Sequence, residues 1–385
     1  MEYLSRYSKP FFLQVALYLF VNGLFILKYF PRSVASPPVL LAVYFIFVFF
    51  TVLLYKNYSE KISEKIFKIA YWAILSLMIF AIIGLLILID RYSVRVDRWS
   101  AVTFFLDNFF QGKYPYSAHT HVSDSNFPSP FPVWYIVNLP FYFLGDVGIG
   151  LIFFLLLTAI VVQYLFSSFR KSVFFLLLFC LSPAYWWEVA VRSDSLSNAL
   201  LVFVFIVWYR KQKYTLSNNF LFTIIACGLL ASTRLSAILP LALFFFKPFV
   251  ELLWRQKIFF PLGVLGIVLL TFGPFIFWDT HSWIFFSRNP FMSQTSVGNP
   301  VLLLTMIILG GLAAFQWKNT KQLFFVISVF LFVFILSSQV SLIVTRGVHG
   351  SVFEDSLYDI SYFSLILPYT LAYLTSNKET EQPVC

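Results

Sequence analysis

The run 91–117 reads RYSVRVDRWSAVTFFLDNFFQGKYPYS, and it crowds acids, arginines and aromatics behind a long apolar stretch. Asp97 opens a segment of helical period. Trp99, Val102, Phe105, Leu106 and Phe109 fall on one side, and Ser100, Thr103, Asp107, Asn108 and Gln111 on the other. An aspartate at such a point has two roles open to it. It can cap the helix, or it can take a proton from a hydroxyl as a general base; one residue can do both. Asp107 reads as a solvated face residue, and Asp90 as an interface marker or a partner of Arg91. Gly112 is expected to end the helix and Pro115 to keep it from resuming.

Three further groups carry candidate chemistry. His119, His121 and Asp124 resemble a loose metal set, but further ligands must come from elsewhere, so hydrogen-bonding loop residues are the preferred reading. Arg192 and Asp194 lie in a short link between apolar runs. They can pair with each other, and Asp194 can cap the helix that starts near Leu196. Arg234, in STRLS, and Arg346, beside Glu354, Asp355 and Asp359, are arginines at the edges of apolar runs. Such residues are costly unless they are paired or line a wet cavity. Arg288, near Asp279 and His281, reads as a surface pair.

The elements that must position these residues follow from composition. Of 385 residues, 60% are hydrophobic and 11% charged, including 50 Phe. A soluble domain is roughly half apolar and a quarter charged. Unbroken apolar runs of span length predict a polytopic all-α membrane protein, and the absence of alternation excludes a transmembrane barrel. About twelve spans are expected, over 10–30, 38–55, 69–89, 147–169, 172–190, 196–209, 220–233, 235–247, 259–278, 300–316, 322–344 and 360–376. The segment 133–145, VWYIVNLPFYFLG, is read as a helix lying along the outer surface. The N-terminus has no signal-peptide cleavage pattern, so the first run is expected to stay as a helix. The terminal PVC does not fit prenylation. Cys180, Cys227 and Cys385 form neither a disulfide framework nor a zinc site. The sequon at Asn57 falls in a Lys-rich loop.

With both termini in the cytoplasm, 17 basic residues fall inside and nine outside, the positive-inside bias. The net charge of +10 is then loop anchoring, and no nucleic-acid partner is expected. All nine Asp and all four His gather at the outer face, with eight Arg and one Lys. Removal of lysine from outside accounts for the missing Lys. It does not account for arginines, whose forked donors suit phosphate and carboxylate oxygens. The outer face reads as the working face.

The segment 90–200 resembles the GT-C superfamily of polytopic glycosyltransferases, most closely its bacterial polyprenyl-phosphate-sugar-dependent members of the family 87 mannosyltransferase type. The likeness rests on Asp97, the helix over 98–111, Gly112-Lys-Tyr-Pro-Tyr116, the proline run from Phe127 to Pro132, and Phe143-Leu-Gly145. Two departures stand out. Two spans precede the one leading to the acidic loop, and a single Asp97 stands where some members carry paired acids.

The resemblance implies one transmembrane domain over 1–376, with two extra N-terminal spans in 1–68, an outer catalytic loop with amphipathic juxtamembrane helices in 90–146, and a cytoplasmic tail over 377–385. It implies inverting transfer of a sugar, a mannose-like hexose as first guess, from a polyprenyl-phosphate donor to an unidentified glycan, lipid or protein acceptor outside the membrane. Asp97 would be the base. Arg234, Arg192 and Arg346 would hold the donor phosphate. Lys113, Tyr114, Tyr116, His119, Asp124 and Asp194 would line the sugar or acceptor site. No cofactor is expected, and a divalent metal is not favoured. Membrane lipids are the other partners. The setting is a bacterial inner membrane, or the endoplasmic reticulum in a eukaryote. Competing readings are a lipid-diphosphate glycan polymerase or ligase, a transporter or flippase, and a non-catalytic membrane partner. Internal repeats and midplane polar sites, the marks of transporters, are absent from the sequence.

Overall fold

The computed structural model describes residues 8–30, 36–279, 281, 283–295, 300–354 and 359–376. The expected tail 377–385, with Lys378 and Cys385, lies outside the described residues, as do Arg6, Arg32 and Asp355. Among the described residues the chain is all-helical. Its α-helices are α1 (Lys9–Tyr29), α2 (Pro37–Tyr58), α3 (Glu64–Leu88), α4 (Arg98–Phe110), α5 (Pro132–Phe143), α6 (Gly150–Phe166), α7 (Phe169–Cys180), α8 (Pro183–Ala190) and α9 (Asp194–Lys211). They continue with α10 (Phe220–Ala231), α11 (Leu235–Val250), α12 (Trp254–Ile276), α13 (Ile284–Ser287), α14 (Pro290–Thr295), α15 (Pro300–Ala314), α16 (Thr320–Val348) and α17 (Leu367–Thr375).

Among the described residues, six helices are long and apolar enough to cross a membrane, and a seventh span results if α7 and α8, bent by 64°, count as one. These are the long apolar helices of a membrane protein. Four shorter apolar helices have 10–17 residues. α2 and α12 fully bury few of their side chains, Val48 and Val52 on α2 and Phe272 and Phe275 on α12. Helices facing hydrocarbon have no reason to cover such a surface.

The chain forms two compact units. One comprises 1–84, 155–189 and 304–385, the other 85–154 and 190–303. In the first unit α17 packs against α1, α7 and α16. The bend between α7 and α8 frees backbone groups that hydrocarbon cannot satisfy, and side chains of α1 meet them. The Tyr18 hydroxyl donates to the Leu178 carbonyl at 2.6 Å. Asn22 Oδ1 accepts from the Ser182 hydroxyl at 2.5 Å and from the Ala184 amide at 3.1 Å. Asn22 is fully buried, so these bonds have no water to replace them.

In the second unit α10 and α12 pack closely, and glycine permits it. A Cβ on Gly228 would lie 2.5 Å from Ile267, and one on Gly263 would lie 2.8 Å from Ile224. The α4 helix ends as its pattern dictates. Gly112 takes φ +69°, its amide donates to the Phe109 carbonyl at 3.1 Å, and the Lys113 amide reaches the Asn108 carbonyl at 2.9 Å. That is a Schellman stop. α5 begins on Pro132, whose missing amide donor costs nothing at a first helical position.

The Asn22 arrangement yields a prediction. Asn22→Leu removes the acceptor of two buried donors, and each costs about 1–3 kcal/mol. Thermal unfolding of the detergent-solubilised protein should show this loss, while Asn22→Gln, which keeps the acceptor chemistry, should lose less than Leu.

Candidate functional site

The second unit brings together three stretches that sequence had marked separately: the start of α4, the start of α9 and the start of α11. Arg98, the first residue of α4, donates through Nη1 to the Ser193 hydroxyl at 2.7 Å. Ser193 is the N-cap of α9 and accepts from the Ser195 amide at 3.2 Å. Asp194, next in line, accepts at Oδ2 from Arg234 Nε at 2.9 Å and also from Arg234 Nη2. Arg234 in turn is the N-cap residue of α11, in extended conformation. The crevice at this junction is lined by Arg98, Trp134, Asn138, Arg192, Ser193, Asp194 and Ser197, among others, and has room for about one water molecule.

The pairing differs from the sequence expectation. Arg192 and Asp194 do not pair with each other. Arg192 Nε goes to Asp146 Oδ2 at 3.0 Å, and its Nη2 goes to the carbonyls of Leu86 at 2.8 Å and Ile89 at 3.1 Å. Arg192 therefore closes the carbonyl end of α3. It does so from φ +51°, a left-handed conformation uncommon for a residue with a Cβ. Nor does Asp194 cap α9, since Ser193 has that place. Arg234 and Asp194 are only 5% and 6% exposed, so each charge depends on the other. Two of the five Arg234 donors go to Asp194. Close by, Asp194 Oδ1 and the hydroxyls of Tyr135 and Ser195 are buried and make no hydrogen bond. Burial, then the nearby Tyr116 and Asp194, push the Tyr135 phenol upward, and Arg234 opposes them.

Asp97 sits at the N-cap position of α4 but makes no cap bond with its side chain. Its Oδ2 accepts from Asn126 Nδ2 at 3.1 Å, and the residue is half-buried. Of the two roles the sequence left open, the capping one is thus not taken. The loop carrying Asn126 is held by histidine. His121 Nδ1 lies 2.6 Å from the Ser100 hydroxyl and Nε2 lies 2.9 Å from the Val94 carbonyl. His119 Nδ1 lies 2.5 Å from the backbone carbonyl of Asp124, whose exposed carboxylate is not that partner. The histidines tie loops together. Among the described residues no three His, Cys, Asp or Glu converge as metal ligands.

The remaining candidates are not among the residues that line the crevice. Lys113 is exposed and donates to Gln111 at 2.8 Å. Tyr114 donates to the Arg288 carbonyl at 2.9 Å, and the fully buried Tyr116 donates to the Pro130 carbonyl at 3.2 Å. Burial pushes both phenols upward. They anchor loops in an aromatic cluster with Phe105 and Phe275. Arg346 is exposed and belongs to the first unit, where Glu354 pairs with His349 and Asp359 with Lys28. Asp107 is not a free face residue, because it accepts from the Tyr142 hydroxyl of α5 at 2.7 Å. Asp90 accepts from the Tyr92 amide at 3.1 Å, and Arg91 lies over the Trp99 ring at 4.6 Å.

Sequence reading passed over Arg98, Asn126, Asp146 and Ser193. Arg98 had a signal, since it follows Asp97 directly, but the others are common loop and cap types. No protein-family model matches this chain, nor does any curated protein or solved structure.

Two measurements test this geometry. Arg234→Met leaves Asp194 buried without its partner and should cost about 3–5 kcal/mol, while Arg234→Met with Asp194→Leu should recover most of that loss. Unfolding of the two variants in one detergent decides it; equal stability of the single variant and the parent would refute the pairing. The second concerns Tyr142. Burial first, then the hydrogen bond and charge of Asp107, push its phenol up to about 12. The raised value favours the neutral phenol in the folded state. The bond to Asp107 should therefore be intact below about pH 10 and be lost as pH rises through the folded value. Difference absorbance of tyrosinate between the parent and Tyr142→Phe should show one phenol titrating near that value.

Proposed function

We propose that the chain is an integral-membrane glycosyltransferase of the GT-C kind. It moves a sugar, a mannose-like hexose in the first instance, from a polyprenyl-phosphate donor to an acceptor hydroxyl on the extracytoplasmic side. The observation that carries this reading is the bond from Arg98 to Ser193. It joins the helix that follows Asp97 to the Arg192–Asp194 link, and Arg234 joins through Asp194. An acid with no side-chain cap bond is thus next in sequence to an arginine that reaches the link carrying Arg192 and Asp194.

In this reading the acceptor oxygen attacks the anomeric carbon as its proton passes to Asp97. The carbon–oxygen bond to the phosphate breaks, and the lipid phosphate leaves with the electron pair. Inversion follows from a single displacement. The developing phosphate charge needs fixed donors, which in this reading come from the forked guanidinium groups of Arg98 and Arg234. The helix N-termini of α4 and α9 add partial positive charge at the same junction. The unpartnered hydroxyls of Tyr135 and Ser195 and Asp194 Oδ1 offer contacts to a hydroxyl-rich substrate. Arg192, closing α3, acts as a positioning residue.

The fuller topology belongs to the same proposal. The shorter apolar helices and α9 complete twelve crossings with both termini inside, and α4 and α5 lie along the outer surface of a bacterial inner membrane. Their lengths, 13 and 12 residues, suit interfacial helices better than spans.

One observation favours a second reading, a transporter. The α7–α8 pair is a broken helix with a buried polar residue at its break, a feature of transport sites. Both readings meet one experiment. The purified protein is given polyprenyl-phosphate sugar and candidate acceptors, and free polyprenyl phosphate is measured. Asp97→Asn should lower release by at least about a hundredfold, the usual weight of a general base, with unchanged unfolding. Flux across vesicles with no release of lipid phosphate would sink the transferase. Full activity of Asp97→Asn would remove Asp97 from the role.

A further inference from the structure

Asp97 stands where a capping residue stands and does not cap. It precedes α4, and the first amides of a helix, here those of Arg98, Trp99 and Ser100, have no acceptor within it. A carboxylate at this position ordinarily accepts from the second or third of them, helped by the positive end of the helix. Asp97 makes no such bond. Two observations account for that. Its backbone lies in the right-handed helical region, at φ −86° and ψ −1°, whereas a capping residue is usually extended. Its Oδ2 is also drawn elsewhere, accepting from Asn126 Nδ2 at 3.1 Å.

The loop that carries Asn126 fixes this donor. The Thr120 amide donates to the Asn126 carbonyl at 3.0 Å, and the Asn126 amide donates to the Ser123 carbonyl at 3.0 Å. Those bonds close 120–126 on itself. His121, inside the closed turn, spans the entry to α4. Its Nε2 lies 2.9 Å from the carbonyl of Val94, before Asp97, and its Nδ1 lies 2.6 Å from the hydroxyl of Ser100, after it. The same hydroxyl donates to the Asp97 carbonyl at 3.0 Å. Tyr92 and Trp99 pack edge-on against the His121 ring. Asn126 is thus held in register with Asp97 by backbone bonds and one imidazole. An ionised carboxylate has about four lone-pair sites. One neutral donor takes one of them and orients the group, and the others stay open to a hydroxyl.

We infer that Asn126 is the positioning residue for Asp97: it holds Oδ2 away from the α4 N-terminus, so that the carboxylate stays available to an acceptor hydroxyl instead of capping the helix. The chemistry in this inference rests on the transfer reading above. The placing of the carboxylate rests on geometry alone.

Two measurements on the full chain in detergent keep these apart. The first is hydrogen exchange. In Asn126→Ala the released carboxylate takes up the cap, so the Trp99 and Ser100 amides should exchange about fivefold more slowly than in the parent. Asp97→Ala added to that variant should remove the slowing. The second is release of polyprenyl phosphate. Asn126→Ala should lower kcat by at least about tenfold with the donor KM unchanged, since misplacing a reacting group by about 1 Å can cost about a hundredfold. In the Asp97→Asn background it should lower release no further, because a residue acting through Asp97 has nothing left to position. If Asn126→Ala fails to fold, Asn126→Asp keeps the side-chain shape, replaces the donor by a second carboxylate, and should give the same two results. Unchanged exchange at Trp99 and Ser100 would overturn the inference whatever the activity. So would full release by Asn126→Ala beside an inactive Asp97→Asn. Losses that add in the double variant would make Asn126 a folding residue only, and overturn it too. A parent that releases no lipid phosphate removes the transfer reading and the role of Asn126 with it, and slowed exchange would then record geometry alone.

Discussion

The second unit depends on a buried ion pair. Arg234 and Asp194 are almost wholly removed from solvent, and neither charge is tolerable there alone. Their mutual requirement fixes where α9 and α11 begin with respect to each other. The turn before α11 then receives the chain ahead of α5, because the Ser232 and Thr233 carbonyls accept the amides of Val133 and Phe131. Gln294 fastens the same corner, accepting from the Leu235 amide and donating to the Ser129 carbonyl. Asn198 of α9 adds a bond to the Thr233 hydroxyl. One charge pair, surrounded by uncharged hydrogen bonds, thus organises three helix starts and a proline-rich loop. An apolar chain with few charges has little else from which to build a specific polar site.

The apolar runs and the stop at Gly112 were legible in the sequence because both are local. The apolar runs fall on helices, though the run 172–190 is broken by the 64° bend between α7 and α8 and six helices, or seven with that pair, are of spanning length among the described residues; the Gly112 turn needs only its own backbone and the few residues beside it. Partner choice was not legible. Arg192 bonds across 46 residues to Asp146, Arg234 across 40 to Asp194, and Arg98 across 95 to Ser193. Nearby charges in sequence, such as Arg192 and Asp194, invite pairing, but a helix that starts between them turns their side chains to different neighbours. Tyr114 and Tyr116 misled for a related reason. An aromatic turn reads as a ligand wall, whereas packing among Phe105, Tyr135 and Phe275 makes the same rings into anchors. Arg346 could not be placed from its type, because its significance depends on which acids it keeps company with, and of those acids Glu354 and Asp359 pair with His349 and Lys28.

The two units meet the same difficulty with different means. The second uses charge against charge. The first uses the amide of Asn22 and the phenol of Tyr18 to meet backbone groups released where α7 gives way to α8. Neutral groups cost less to bury than ions, and a carboxamide can serve as donor and acceptor at once. Asn22 does both, accepting at the bend and donating to the Tyr18 carbonyl at 2.8 Å. A broken span can therefore persist in hydrocarbon without a counter-charge.

The hold of Arg192 on α3 has a consequence in time. The carbonyls of Leu86 and Ile89 receive their donors from a residue 106 and 103 positions later. A ribosome adding about 5–20 residues per second delivers that arginine several seconds after the end of α3 has been made. Through that interval the exit of the third helix has to remain hydrated or sheltered by the insertion machinery. The end of α3 accordingly gains these two hydrogen bonds only once residue 192 has been made.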